Sequence, residues 1–262
     1  MSMEALAIAL ILLVALLFSP LGLGGGVLYV PILHYVAGWT LVESLLASLT
    51  LVWMVAMSSS LAHHQEKHVD VIVAKAGRIS AVPAAVLGTI LAWLIIEHVS
   101  EMLLKAIAAT ILLFVIERNL SSSEKISGSK EYLGKYRLGA AGGGLASGLL
   151  GIGGGAIYVT LNRRLAGLDM RTAAGTSYLI GAAVAPVAIV SHIFINGSLP
   201  KLLESSGTTL AIVLPIAAFA TAFFGAKTAI KYLPTKTIRI TFLVAVSLSV
   251  VRYLWDILGS IS

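Results

Sequence analysis

The chain contains no cysteine and few charged side chains. Without cysteine it forms no disulfide, no thiolate metal site and no cysteine nucleophile. Only 11% of the 262 residues are charged, whereas 58% are hydrophobic. That leaves too little polar side chain to coat a water-soluble protein of this size. The composition therefore predicts a protein whose surroundings are lipid.

The apolar segments also lack the strict alternation of apolar and polar residues that membrane β-strands show. Residues 79–96, for example, are apolar on every face of a helix. Long apolar runs separated by short polar breaks recur along the chain, which is typical of a bundle of membrane helices. The net charge of +6 comes from basic residues in these breaks, where the positive-inside rule explains them, so we predict no nucleic-acid partner.

The chain contains an internal repeat with a shift of 129 residues. This shift aligns the glycine motif GLGGG at residues 22–26 with GIGGG at residues 151–155. Three further pairs of identical polar or aromatic residues follow the glycines: Tyr29 and Tyr158, Ser48 and Ser177, and His63 and His192. Because these residue types are not generic components of membrane helices, the matches indicate a duplicated unit.

The repeat predicts how the chain is divided. The first unit covers residues 1–120 and the second covers residues 136–262. Residues 121–135 are hydrophilic and have the composition of a linker between the two units.

Each glycine motif is flanked by apolar runs shorter than the roughly 20 residues that a spanning helix needs. In the first unit these runs are residues 5–18 and 27–37. They form either one long broken helix that crosses the membrane, or a hairpin of two half-helices that enters and leaves on the same side. In the hairpin topology the full spans are residues 40–62, 77–96 and 100–118, and then residues 169–195, 207–230 and 236–256.

The lysine and arginine residues distinguish between these topologies. The hairpin topology puts fifteen of the eighteen on one side and only Lys105, Lys201 and Arg252 on the other, whereas the single crossing divides them about ten to eight. The positive-inside rule therefore favours the hairpin, with the basic loops in the cytoplasm and both termini outside. The predicted fold is an all-α membrane protein. It is an inverted repeat of two units, each a re-entrant half-helix hairpin followed by three transmembrane helices.

The glycine motifs are the predicted substrate site. Each precedes a half-helix whose first N–H groups lack intrahelical partners and carry partial positive charge, and glycine lets a ligand approach them closely. Two such helix ends at the bilayer midplane would bind a small anion. The alternative is that the glycines only permit close helix packing. The predicted substrate-binding residues are Gly24, Gly25, Gly26, Ser48, Gly153, Gly154, Gly155, Thr176 and Ser177.

Polar side chains of the following span support this site. Ser48 and Ser177 lie level with the motifs and either donate to a bound oxyanion or join neighbouring helices. His63 and His192 end the same spans and either carry a coupled proton or cap the helix at the interface. The second unit keeps only one of the three clustered histidines of the first, so no metal is predicted, and no cofactor either. The spans carry no deep acidic residue, which favours an anion over a cation.

The segments GLGGGVLYVPIL, GIGGGAIYV and RTAAGTS resemble the sulfite exporter (TauE/SafE) family of membrane permeases. The resemblance covers nearly the whole chain and includes Pro31, although the second unit has Thr160 at that place. It implies a secondary transporter in the cell membrane, often an exporter, for sulfite, an organosulfonate or a related sulfur-containing anion.

Two other functions stay open from the residues alone. One is a proton-coupled permease for another small anion, and the other is an anion channel. We predict no enzymatic activity, because an embedded enzyme or electron carrier would need converging carboxylates, a haem-binding histidine pair or cysteines. The predicted partners are the small anionic substrate and the lipid bilayer.

Overall fold

The computed structural model describes residues 3–120, 132–232 and 235–259, and within these ranges the chain is helical. Most of the predicted linker, residues 121–131, lies outside the described residues. The α-helices in chain order are α1 (Met3–Phe18), α2 (Gly26–Pro31), α3 (Leu41–Gln65), α4 (Val71–His98), α5 (Glu101–Leu120), α6 (Tyr132–Leu150), α7 (Gly155–Arg164), α8 (Met170–Asn196), α9 (Ser198–Tyr232) and α10 (Thr235–Gly259).

Several of these helices present large apolar side chains on the outer surface. Ile72, Phe194 and Leu138 are 83%, 82% and 77% exposed. Five helical segments in the described ranges are long and apolar enough to cross a membrane: Met3–Leu21, Leu41–Gln65, Val71–His98, Met170–Asn196 and Ser198–Thr228. The chain is therefore a multi-pass membrane protein, as its composition predicts. The sidedness of its loops stays a prediction.

The bounds of the predicted spans agree with α3, α5, α8 and α10 to within three residues, whereas α4 begins six residues before the predicted span. Helices α5 and α10 are not among those five segments. The predicted span 207–230 agrees with the longer part of α9. A helical segment that begins at Ser198 precedes it and was not predicted. Gly207 itself has φ 68° and ψ 151°, so the backbone breaks there, where only glycine is unstrained.

The length predicted for the first apolar run is wrong. After Phe18 the chain continues into a 3₁₀ turn, Ser19–Leu21, and the 19 residues from Met3 to Leu21 are long enough to cross a membrane. Pro20 permits this continuation because it lies at the start of the turn, where a missing N–H costs no hydrogen bond. The hairpin topology, which used the shorter length, stays a prediction.

Side-chain caps mark the beginnings of three spans. Thr40 and Glu43 form a capping box at α3, in which the Thr40 amide donates to the Glu43 carboxylate over 2.8 Å. Asp70 accepts from the Val73 amide at the start of α4. Asp169, the repeat counterpart of Thr40, accepts from two amides at the start of α8. These caps satisfy N–H groups that a helix leaves unpaired.

The helices pack in matched pairs. The shift of 129 residues relates α1 to α6, α2 to α7 and α3 to α8, and the helices that follow correspond in order, α4 to α9 and α5 to α10. Helix α1 packs on α9, and likewise α6 packs on α4; α3 packs on α9, and α8 on α4. The counterparts α3 and α8 contact each other, as do α5 and α10. The first helix of each unit, α1 or α6, therefore packs on a helix of the other unit, α9 or α4, respectively.

Glycines bring α4 and α6 into direct backbone contact. A Cβ added at Gly144 or Gly148 of α6 would collide with the carbonyl oxygen of Ala81 or Ala85 of α4. Gly88 approaches the backbone of α6 in the same way. Small residues that let two helix backbones approach closely are the usual interface of membrane helices. This contact holds α6, and with it the second glycine motif, against the first unit.

Candidate functional site

The two glycine motifs have the same backbone conformation. Gly22, Gly24 and Gly25 have φ angles of 76°, 68° and 73°, and their counterparts Gly151, Gly153 and Gly154 have 67°, 70° and 67°. Residues other than glycine rarely adopt these positive angles. We call residues 22–25 the first glycine loop and residues 151–154 the second. Each loop leads into a short helix, α2 or α7.

The structure brings the two loops into contact. A Cβ added at Gly155, the first residue of α7, would lie 2.8 Å from the Gly22 carbonyl oxygen. Reciprocally, a Cβ at Gly26, the first residue of α2, would collide with the Ile152 carbonyl oxygen. Each half-helix therefore begins against the loop of the other unit, and only glycine fits at its first position.

Ser48 and Ser177 join these loops to the long helices by a reciprocal pair of hydrogen bonds. The Ser48 hydroxyl of α3 donates to the Gly151 carbonyl over 2.7 Å, and the Ser177 hydroxyl of α8 donates to the Gly22 carbonyl over 2.8 Å. Both serines are buried. They lie at the loops, as predicted, but in this structure each holds the loop of the other unit. Their role as substrate ligands stays a prediction.

The first loop has an additional neighbour that the sequence reasoning missed. The Gly24 amide donates to the Tyr178 hydroxyl over 3.3 Å, and that hydroxyl donates to the Phe18 carbonyl over 3.2 Å. Tyr178 follows Ser177 in α8, and the hydroxyls of both residues hydrogen-bond to the first loop. The sequence indicates Tyr178 only as a difference between the two units, since its counterpart in α3 is the apolar Leu49.

Residues 7–253 match the model of the family described as sulfite exporter TauE/SafE. The chain belongs to the sulfite exporter TauE/SafE family. No curated protein and no solved structure gave a significant match. Membership of this family implies a membrane transporter of the sulfite or anion exporter type. The resemblance noted in the glycine motifs is therefore confirmed.

The two histidines of this TauE/SafE chain differ in their surroundings. Both are fully buried. His192 donates from Nε2 to the Gly148 carbonyl over 2.7 Å and accepts at Nδ1 from the Asn196 side chain over 2.9 Å. The ring of His63 lies near the Ser19 carbonyl, the counterpart of Gly148, yet neither of its nitrogens makes a hydrogen bond to any described residue. Neither histidine is at a solvated helix end.

Thr176 has a hydrogen-bond partner at the beginning of α4. Its hydroxyl accepts from the amide of Asp70 over 2.9 Å. Its role as a substrate ligand stays a prediction. Tyr29 and Tyr158 do lie at the loops, since a Cβ at Gly25 or Gly154 would come within 2.7 Å of the ring atoms of the respective tyrosine.

The two buried charged side chains of the described residues, Lys105 and Glu43, have partners. Lys105 of α5 forms an ion pair with Asp256 of α10, and Tyr35 donates to the same carboxylate over 3.3 Å. Glu43 is buried, but its carboxylate caps α3. In the described part of the chain no group of three or more histidine, aspartate or glutamate residues could hold a metal ion. The polar groups at the loops are thus neutral hydrogen-bonding groups.

Proposed function

We propose that this protein is a secondary transporter that exports a small sulfur-containing anion, such as sulfite or an organosulfonate, and binds it between the two glycine loops. Membership of the TauE/SafE family supports the class of transporter and of substrate. The contact between the loops, at Gly22 and Gly155 on one side and at Gly26 and Ile152 on the other, supports the location. This reciprocal contact is the observation that carries the proposal.

The chemistry of the loops favours an anion. Helices α2 and α7 begin directly after the loops, so their first amide N–H groups lie there. Helix N-termini attract negative charge. Hydroxyl groups of Ser48, Ser177 and Tyr178 add neutral hydrogen-bond donors beside them. No described carboxylate is among these contacts, because the acidic side chains near the loops' helices serve as caps or form ion pairs. A cation would find no compensating charge here.

We further propose that the two units are an inverted repeat whose first helices form re-entrant hairpins, and that the units rock about the loops during transport. The packing of the first helix of each unit on the other unit supports this arrangement. Helix α1 packs on α9, and its counterpart α6 packs on α4, so both units use equivalent helices for this contact. The serine hydrogen bonds would keep each loop attached to the opposite unit as the units move.

Uptake by proteoliposomes tests the proposal. The purified protein is reconstituted, and the uptake of labelled sulfite, sulfoacetate, taurine, thiosulfate and sulfate is measured with and without a pH gradient, against protein-free liposomes. We expect saturable uptake of at least one sulfur oxyanion. Uptake that rises linearly with concentration would identify an anion channel. A gradient-dependent flux of a different anion would identify a proton-coupled permease, and the absence of saturable uptake of any of the five would overturn the organosulfur assignment.

A further inference from the structure

The side chains around the two glycine loops are not equivalent. At the first loop α8 contributes Tyr178, whereas α3 has Leu49 at the counterpart position. Further along the same helices, α3 carries Ser59 and α8 carries Ala188 at equivalent positions. Two residues with hydroxyl groups, Tyr178 and Ser59, therefore have apolar counterparts in the repeat, Leu49 and Ala188.

Space also differs between the loops. At Gly24 an added Cβ would have a single described neighbour within 4 Å, the Tyr178 ring at 3.8 Å. At the counterpart, Gly153, it would collide with the Val52 side chain. The repeat counterpart of Val52 is Gly181 of α8, which has no side chain. The side chain that occupies the space beside Gly153 is therefore missing beside Gly24. Only at the first loop is there room for another atom beside this buried glycine.

Buried polar groups without partners lie beside the first loop. Ser59 and His63 are four residues apart on α3 and therefore share a face. The His63 ring is 6.0 Å from the Tyr178 ring, between centroids, and the Ser59 hydroxyl lies near that of Tyr178. Both side chains are 0% exposed. The Ser59 hydroxyl and both His63 nitrogens make no hydrogen bond of normal geometry to a described residue, and their polar neighbours are the Tyr178 hydroxyl and the Ser19 carbonyl, respectively. A buried polar group without a partner is costly unless a ligand satisfies it.

We infer that, of the two loops between which the anion binds, the first supplies its ligands: the Gly24 amide and the neighbouring side chains of Tyr178, Ser59 and His63. This inference rests on the proposed function and names the half of the molecule that performs it. The second loop, with Val52 against Gly153 and with His192 already hydrogen-bonded, is its structural counterpart.

Binding at this cluster needs only an exchange of hydrogen bonds. An oxyanion replaces the Tyr178 oxygen as the acceptor for the Gly24 amide, and Tyr178 turns its hydroxyl from the Phe18 carbonyl to the anion. The Ser59 hydroxyl and the N–H of a neutral His63 then donate as well. Four donors to one charged acceptor form strong, charge-assisted hydrogen bonds.

Charged and titratable groups of both signs lie at one end of the cluster. His68 follows the end of α3 and Arg171 lies in the first turn of α8. The Asp169 carboxylate caps α8 and lies near His68. The ligands that we assign to the anion are therefore the neutral hydrogen-bond donors of the cluster.

Equilibrium binding of labelled sulfite to the purified protein in detergent tests the inference. The variants are Ser59→Ala and Tyr178→Phe, each of which removes one hydroxyl. The matched control is Ser44→Ala, because Ser44 lies on the same helix, is also 0% exposed and also has no hydrogen-bond partner among the described residues. We expect the dissociation constant to rise about 10- to 100-fold in Ser59→Ala and Tyr178→Phe and less than about 2-fold in Ser44→Ala.

Thermal unfolding of each variant is measured alongside, so that a folding defect in one variant leaves the other as the test. If wild-type protein transports sulfite and both variants bind it as tightly as Ser44→Ala does, the inference is overturned and the proposed function stands. An equal loss in all three variants would also overturn it, because the effect would then belong to α3 in general. If wild-type protein neither binds nor transports any of the sulfur anions, the proposed function fails and the inference fails with it.

Discussion

The two glycine loops share a backbone but not their surroundings. Both loops have positive φ angles at three equivalent glycines. The first loop accepts a hydrogen bond from Ser177 of α8, and the second accepts one from Ser48 of α3. Around them the residues diverge, with Tyr178 at the first loop and Val52 against the second. The residues that recur in both units therefore account for how the loops form. The residues that occur in only one unit, such as Tyr178 and Val52, distinguish the chemistry of the two loops.

The largest expected effect concerns the helix that carries the second loop. Gly144 of α6 contacts the backbone of α4, whereas its counterpart in α1 is Ala15. Gly144→Ala, which makes the second unit resemble the first, should destabilise the protein by about 3 kcal/mol because the backbones must separate. The control is Gly142→Ala on the same helix, where an added Cβ meets nothing described within 4 Å.

Unfolding in detergent measures both variants. Since alanine is the better helix former, Gly142→Ala should be neutral or more stable by up to about 1 kcal/mol. Equal stabilities of the two variants would contradict the close approach of α4 and α6.

The next effect tests whether the first loop binds the substrate. Gly24→Ala places a methyl group beside the amide, and the positive φ costs about 1–2 kcal/mol of stability. Gly38→Ala and Gly167→Ala carry the same backbone cost at exposed positions with nothing described within 4 Å. We expect similar thermal midpoints for all three variants, and a sulfite transport rate at least about 10-fold lower in Gly24→Ala alone. Equal transport rates would remove the first loop from the site.

A smaller effect tests the reciprocity of the loops. Ser48→Ala and Ser177→Ala each remove one hydrogen bond to a loop carbonyl, which costs about 1 kcal/mol. The Ser177 hydroxyl is shared with the Ala174 carbonyl, at 2.8 Å, so we expect the slightly larger loss for Ser48→Ala. Unfolding of the single and double variants measures the two contributions. If neither variant is less stable than wild type, the serines do not hold the loops.

The smallest effect concerns the helix caps, where the units again differ. Asp169→Ala removes a cap and should cost about 1 kcal/mol, whereas Asp169→Asn should be close to neutral because asparagine caps as well. Burial raises the pKa of the Asp169 carboxyl, but hydrogen bonds from Thr172 and from the Arg171 amide lower it by more, so the pKa lies below its usual value. The stabilisation is therefore present at neutral pH and is lost as the pH falls through the lowered pKa.

Unfolding of wild type and of both variants as a function of pH checks this prediction. The stability difference between wild type and Asp169→Ala should shrink in acid, whereas the difference between the two variants should not, because neither of them has a carboxyl group at this position. Thr40, the counterpart of Asp169, should give no such pH dependence when it is replaced by alanine at α3. A wild-type advantage that grows in acid would show that the cap does not act through the ionised carboxylate.

Much of the helix arrangement follows from the sequence because it depends on local properties. The apolar lengths predicted α3, α4 and α8 to within a few residues outside residues 71–76. The repeat predicted that the two glycine motifs are related, and glycine is the residue that most readily adopts the positive φ angles found at both. The apolar length of residues 5–18 alone does not show that the helical path continues, because the 3₁₀ turn Ser19–Leu21 that extends it contains Pro20.

The side chains of the site were harder to predict because their contacts join distant parts of the chain. Ser48 bonds to a carbonyl 103 residues away, and Tyr178 meets a loop 154 residues away. A repeat identifies only residues that recur in both units. Tyr178 and Ser59 do not recur, so the repeat does not mark them.

Counterflow of sulfite tests the central claim most directly. Proteoliposomes that contain the wild-type protein are loaded with unlabelled sulfite, diluted into labelled sulfite, and followed over time. A transporter with a single saturable site should accumulate label transiently above equilibrium, and Gly24→Ala should abolish this overshoot while Gly38→Ala retains it. Label that only approaches equilibrium, at a rate linear in sulfite concentration, would contradict the account.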